Sequence, residues 1–143
     1  MTEPTDDQLA KLGAAFETFA RRYKLAESAG PERPLNELDK QTLLFVANHP
    51  GCGPTDVARF LGVATTTVSS ATDRLAKRGL LARDRVEGDR RAVALRLTGD
   101  GETLVAELTA AYRAMYRMML SRLSPTERDA FVGMITKIVY HED

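Results

Sequence analysis

The sequence holds a single cysteine, Cys52, so no disulfide can form within the chain, and a reducing compartment suits it. Histidine is scarce too, with only His49 and His141. Together with Cys52 they give one His-x-x-Cys pair, short of the three or four ligands that a structural zinc site needs. No apolar run approaches the roughly 18–20 residues that span a bilayer. The start, Met1 to Asp7, is polar and acidic, unlike a secretory signal. A soluble, cytoplasmic protein without a membrane partner is therefore expected. Net charge is absent as well: 20 basic side chains stand against 20 acidic ones. That balance argues weakly against nucleic acid, although distribution matters more than the sum. There is no Gly-rich phosphate loop and no Cys-His-Asp set at useful spacing. Neither an enzyme nor a cofactor is expected.

What is present is ordinary in amount and uneven in placement. The chain has 143 residues, 43% of them apolar and 28% charged, enough for one domain around one core. Between Asp73 and Arg96 the bases are Arg74, Lys77, Arg78, Arg83, Arg85, Arg90, Arg91 and Arg96, against Asp73, Asp84, Glu87 and Asp89. Such a basic segment in a neutral chain is either a solvated face or a nucleic-acid footprint.

Apolar spacing divides the chain into elements. Leu9, Leu12, Phe16, Phe19 and Tyr23 make one stripe on a helix from about Asp6 to Glu27, broken by Gly30 to Pro34. A second helix is expected over Glu37–Asn48, with Asn36 as N-cap and Leu38, Thr42, Phe45 and Val46 facing inward. The run His49 to Pro54 forces a turn. A short helix, Pro54 to Leu61, buries Val57, Ala58 and Leu61, and Gly62 stops it. A fourth, from Thr65 to Arg78, buries Val68, Ala71, Thr72 and Leu75, with Gly79 past its end. The period then changes. Leu80 to Arg85 and Ala92 to Leu97 read as strands around a turn at Val86 to Arg90, a β-hairpin. Thr98 caps a long helix to about Leu123. Ser124-Pro125-Thr126-Glu127 then opens a final helix to about Tyr140, with Phe131, Met134, Ile135 and Ile138 on one face.

The expected fold is mainly α with a small β-hairpin wing. A winged helix-turn-helix over residues 36–97 is flanked by helices at 6–29 and 98–140, all within one domain. The outer face of the fourth helix carries Thr65, Thr66, Thr67, Ser69 and Ser70, small hydroxyls able to meet base edges or phosphates. The same hydroxyls could instead serve capping and solvation. Arg74 follows on that helix as a further candidate for DNA contact. Arg83, Arg85, Arg90 and Arg91 sit on the hairpin, where a tip guanidinium can probe the minor groove, and Asp89 can pair with a nearby arginine to hold the tip rigid. A winged helix that binds only proteins is the rival reading; Arg90 and Arg91 on the wing count against it.

Leu75 to Arg83, then Gly88-Asp89-Arg90-Arg91-Ala92, then Leu97-Thr98-Gly99-Asp100-Gly101 resemble the MarR family of transcriptional regulators. The resemblance runs over about residues 6–140. It implies a homodimer interlocked through its first and last helices, bound to a pseudopalindromic double-stranded DNA operator. It also implies a repressor released by a small aromatic or anionic ligand, or by cysteine oxidation. It puts Thr66, Thr67 and Ser70 among the recognition contacts, Arg91 at the wing tip, Asp89 as its orienting partner and Arg90 near a phosphate. Phe16, Phe19, Tyr23, Phe45, Tyr112 and Met115 are candidates for a ligand cleft, although dimer core is the plainer role for most of them. Ala64 stands where the family often has Ser, so Thr65 is expected to take over the cap. The oxidation-sensing members carry their reactive cysteine in the first helix, which has none here, so Cys52 is expected to be a buried or inert thiol rather than a redox switch.

Overall fold

The computed structural model describes residues 2–24 and 35–141. They fall into two compact bodies that divide between Glu37 and Leu38.

The first body is helix α1, Asp6–Phe19. A capping box starts it: the Gln8 amide donates to the Thr5 hydroxyl at 3.1 Å, and the Thr5 amide donates to the Gln8 side chain at 2.9 Å. Asp6 and Asp7 in the first turn suit the positive end of the helix dipole. The α geometry does not run on to Glu27 as the stripe suggests. The Ala20 amide is shared between the Phe16 and Glu17 carbonyls, and the ladder loosens there into a π-helical turn, Ala20–Lys24. Residues 25–27 lie outside the described residues. Leu9, Leu12 and Phe16 are exposed on α1, while Phe19 and Tyr23 keep ring contact at 4.8 Å.

The second body begins at the second residue of α2 (Glu37–Asn48) and holds α3 (Pro54–Leu61), α4 (Thr65–Lys77), β1 (Leu81–Val86), β2 (Asp89–Leu97), α5 (Gly99–Ser121) and α6 (Pro125–Val139). Leu43, Val46, Val57, Val68, Ala71, Leu75 and Leu95 are fully buried and form its core. Each arrives from an apolar position of a different helix turn or strand, so α2, α3, α4 and the hairpin share one interior. Leu43 falls outside the expected inward set, whereas Leu38 and Phe45 are only half-buried. The run Leu43-Leu44-Phe45-Val46 offers two overlapping helical stripes, and periodicity alone cannot choose between them. Two buried hydroxyls are satisfied locally: Thr42 donates to the Leu38 carbonyl at 2.8 Å and Thr72 to the Ser69 carbonyl at 2.9 Å.

Turn chemistry sets the path between these elements. The Gly53 amide donates to the Asp56 carboxylate at 2.9 Å, with Pro54 in the first position of α3. Gly62 and Gly79, at φ +70° and +73°, end α3 and α4 in the left-handed region that favours glycine. The turn before α3 is pinned to the wing, because the Gly51 amide donates to the Leu95 carbonyl and the Leu95 amide to the Cys52 carbonyl, at 2.8 and 2.7 Å. The hairpin is antiparallel, with Leu81 opposite Leu97, Arg83 opposite Leu95 and Arg85 opposite Val93. Its register slips at Arg85 and Val86, just before the Glu87-Gly88 turn.

The wing closes onto α5 at one joint. Thr98, the N-cap, accepts from the Gly101 amide at 3.0 Å and donates its hydroxyl to the Gly79 carbonyl at 2.6 Å. Its own amide donates to the Leu80 carbonyl at 3.2 Å. Gly101 is buried against that carbonyl. The Leu-Thr-x-x-Gly run is therefore the clasp between the end of α4, the base of the wing and the long helix. A second capping box, Ser124 with Glu127, opens α6. Along α6, Val132, Met134, Ile135, Ile138 and Val139 are exposed. Among the described residues no helix is long and apolar enough to cross a membrane.

Candidate nucleic-acid interface

Helix α4 turns its buried side, Val68, Ala71, Thr72 and Leu75, to the core. Helical geometry then places Thr66, Ser70, Asp73 and Lys77 along one outward ridge, spaced by four, three and four residues. Thr65, Thr67 and Ser69 flank that ridge, and all five hydroxyl-bearing residues are exposed. Ser70 donates back to the Thr66 carbonyl at 3.2 Å, so its hydroxyl remains available as an acceptor. Thr65 does not cap the helix. The N-cap is Ala64, whose side chain offers no acceptor, and Thr65 is the first residue with helical geometry. The Thr67 amide donates to the Ala64 carbonyl at 3.0 Å, and the missing side-chain cap leaves the Thr65 and Thr66 amides to solvent or to a phosphate.

The basic residues divide sharply by partner. Arg74 forks onto Asp39 of α2, with Nη2 at 2.8 Å from Oδ1 and Nε at 3.4 Å from Oδ2. Asp39 is buried there, and its hydrogen bond holds the Arg74 guanidinium above the ordinary arginine range. Arg83 of β1 pairs with Asp73 of α4. Arg96 pairs with Asp84 across the hairpin at 2.7 Å. Three of the eight bases counted between Asp73 and Arg96 are thus neutralised within the chain. Lys77, Arg85 and Arg91 are exposed and make no ion pair among the described residues. Charge and spacing in the sequence place Lys77 and Arg85 among the bases without selecting them as site residues. The helical ridge shared with Thr66 and Ser70 is the available signal for Lys77.

At the wing tip the Arg91 amide donates to the Asp89 Oδ1 at 3.0 Å. The carboxylate holds the turn through the backbone and leaves the Arg91 side chain in solvent. The side chain of Arg90 lies outside the described residues.

Two other candidates take structural places. Cys52 is half-buried, and burial together with the nearby Asp56 carboxylate pushes its thiol up, which disfavours the reactive thiolate. His49 stacks on Phe45 with ring centroids 4.2 Å apart and sets Nδ1 at 3.1 Å from the Phe45 carbonyl.

Comparison with known proteins agrees with this architecture. The MarR family model matches residues 34–92. The chain is 28% identical over 130 residues to a transcriptional regulatory protein for the hcr operon of Thauera aromatica, covering 91% of this chain and 74% of that one. Alignments with two further regulators span little more than half of their length, 53% and 56%. FabT of Streptococcus pneumoniae, solved in complex with DNA, has the same fold with a TM-score of 0.79 at 22% identity, over 90% of both chains. BpsR of Bordetella bronchiseptica, whose DNA binding is regulated by 6-hydroxynicotinic acid, matches with a TM-score of 0.66 at 26% identity, over 90% of this chain and 98% of that one. Residues 34–92 thus resemble the MarR family, and the curated relatives of the chain are transcriptional regulators. The curated relatives are named as transcriptional regulators or repressors.

Proposed function

We propose that the protein is a cytoplasmic, homodimeric repressor that binds a pseudopalindromic DNA operator and is released by a small aromatic or anionic ligand. The observation that carries the DNA reading is the outward ridge Thr66, Ser70 and Lys77 on α4, standing beside a wing whose Arg85 and Arg91 make no ion pair among the described residues. Hydroxyls on a groove-sized helix suit base edges and phosphates. An arginine at a hairpin tip suits the narrow, strongly negative minor groove. Thr65, Thr67 and Ser69 extend the hydroxyl face, and Arg90 adds a further wing base by its position in the sequence. Softer base readout follows from short side chains on α4, with more of the affinity from shape and phosphates.

Dimerisation is supported by the apolar side chains that the single chain leaves in water on α1 and on α6. A second copy covering those faces gives two recognition helices related by a two-fold axis, hence half-sites about one helical turn apart. The ligand class follows the regulated neighbour BpsR, whose effector is an aromatic carboxylic acid.

Selection of bound duplexes from a random library, with Arg91→Ala run in parallel, tests the reading. The wild-type protein should enrich a palindrome. The variant should bind more weakly across sequences, with a salt dependence flatter by roughly 0.9 for each phosphate that the arginine no longer neutralises. No enrichment at low salt would move the winged helix to a protein partner.

A further inference from the structure

Asp73 stands where a DNA-facing surface tolerates an acid least. It lies on the α4 ridge between Ser70 and Lys77, and its side chain is 57% exposed. A bare carboxylate there would repel the phosphates that the ridge and wing are placed to attract. Arg83 answers that charge. It leaves β1 from a position opposite the fully buried Leu95, so its backbone is anchored to the core. Its Nη1 donates to Asp73 Oδ1. Lys77, one turn further along α4, makes no ion pair with Asp73. Arg85, two residues along the same strand, has no carboxylate partner among the described residues.

We propose that Arg83 is a positioning residue that acts through Asp73. It masks the carboxylate on the recognition ridge and ties the wing to α4, and it takes no phosphate itself. Arg85, on the same strand, is the arginine left for phosphate. This assignment rests on the DNA-binding reading above and gives Arg83 a different part in it from direct contact.

Rescue distinguishes masking from contact. A duplex enriched by the wild-type protein is titrated by fluorescence anisotropy across a salt series against wild type, Arg83→Ala, Asp73→Asn, the double variant and Arg85→Ala. Melting curves of the free proteins confirm that each is folded, and Arg83→Gln stands in if the alanine variant is not. Arg83→Ala should weaken binding about tenfold per protomer, the size expected when one unit charge faces two phosphates at about 6 Å in water. Its salt slope should stay close to that of wild type, because Arg83 neutralises no phosphate. Adding Asp73→Asn should return affinity to within about twofold of wild type, since the repelling charge is gone. Arg85→Ala should flatten the slope by roughly 0.9 per protomer, and Asp73→Asn should not repair it. The assignment is overturned if Arg83→Ala flattens the slope, if Asp73→Asn fails to rescue it, or if Arg83→Ala has no effect. Each of those results with wild type binding leaves the DNA reading intact. Wild type failing to bind any duplex overturns both.

Discussion

Substituting Gly101 by alanine should destabilise the protein even though the residue lies in a helix. Propensity points the other way: alanine in a helix interior is favoured over glycine by up to about 1 kcal/mol. The joint decides the sign. A Cβ on Gly101 would meet the Leu80 carbonyl oxygen at 2.0 Å and its carbon at 3.0 Å. To bring the oxygen out to 3.0 Å, the gap must open by about 1 Å. Neither side yields cheaply, because the Leu80 carbonyl accepts from the Thr98 amide and the Thr98 hydroxyl holds both the Gly79 carbonyl and the Gly101 amide. Overpacking of this kind costs about 1–3 kcal/mol, and each loosened hydrogen bond adds about 1 kcal/mol. After the propensity gain, a net loss of about 2–3 kcal/mol remains. For a chain of this size that lowers Tm by roughly 5–10 °C. Gly99 is the control, since nothing lies within 4 Å of a Cβ there, and Gly99→Ala should leave Tm unchanged or raise it. The assay is thermal and urea unfolding at fixed protomer concentration, because the proposed dimer would make the midpoint concentration-dependent. Gly101→Ala as stable as Gly99→Ala would refute the clasp.

Three further outcomes follow from the same contacts. Asp39→Ala should lower the melting midpoint by several degrees by leaving the Arg74 guanidinium without its fork; Asp39→Asn should recover part of the loss, and equal midpoints for all three proteins would remove the pair from the fold. Ile138→Glu puts a carboxylate on the exposed apolar face of α6; losing about 1.5 kcal/mol or more of burial from each copy should raise the dimer dissociation constant about a hundredfold in sedimentation, and an unchanged constant would place the interface elsewhere. Glu127 accepts from the Ser124 amide and hydroxyl group, which hold its carboxyl below the ordinary value of 4.5; its stabilisation should be complete above that value and fade as pH falls through the lowered one, so the gap between wild type and Glu127→Gln should close only in acid, and a gap constant with pH would count against the capping box.

Local chemistry explains which parts of the fold were legible in the sequence. The helix boundaries at Glu37–Asn48, Pro54–Leu61 and Thr65–Lys77 are written in short-range signals. Proline can open a helix where its missing amide costs nothing, and Gly62 and Gly79 can adopt the left-handed turn that closes one. The same holds for Ser124 and Glu127, and for the hairpin, whose alternating Val93, Leu95 and Leu97 face one side. The end of α1 was less legible because its apolar stripe continues through Tyr23 whether the backbone is α or π. A stripe reports which face is apolar and says little about how many residues make a turn. The inward set of α2 is right at Thr42 and Val46 and misses Leu43 for a related reason: four consecutive apolar residues satisfy more than one face.

The candidate site was legible in residue type and illegible in pairing. A hydroxyl on the outer face of α4 needs only the helix period to be placed, so the ridge follows once Val68, Ala71 and Leu75 are turned inward. A charged residue needs its neighbour as well. Arg74 and Asp39 are 35 residues apart, and nothing in their local sequence announces the fork between them. Arg83 and Asp73 are closer, at 10 residues, yet the separation spans a helix end, a left-handed glycine and the start of a strand. Only the fold brings them together. In sequence, Arg74, Arg83, Arg85 and Arg91 are equivalent positive charges. In the structure the first two are engaged by carboxylates and the last two are not among the described residues, so the electrostatic footprint shifts from α4 towards the wing. The difference is measurable: the salt slope should respond to Arg85 and Arg91, and respond to Arg83 only through Asp73.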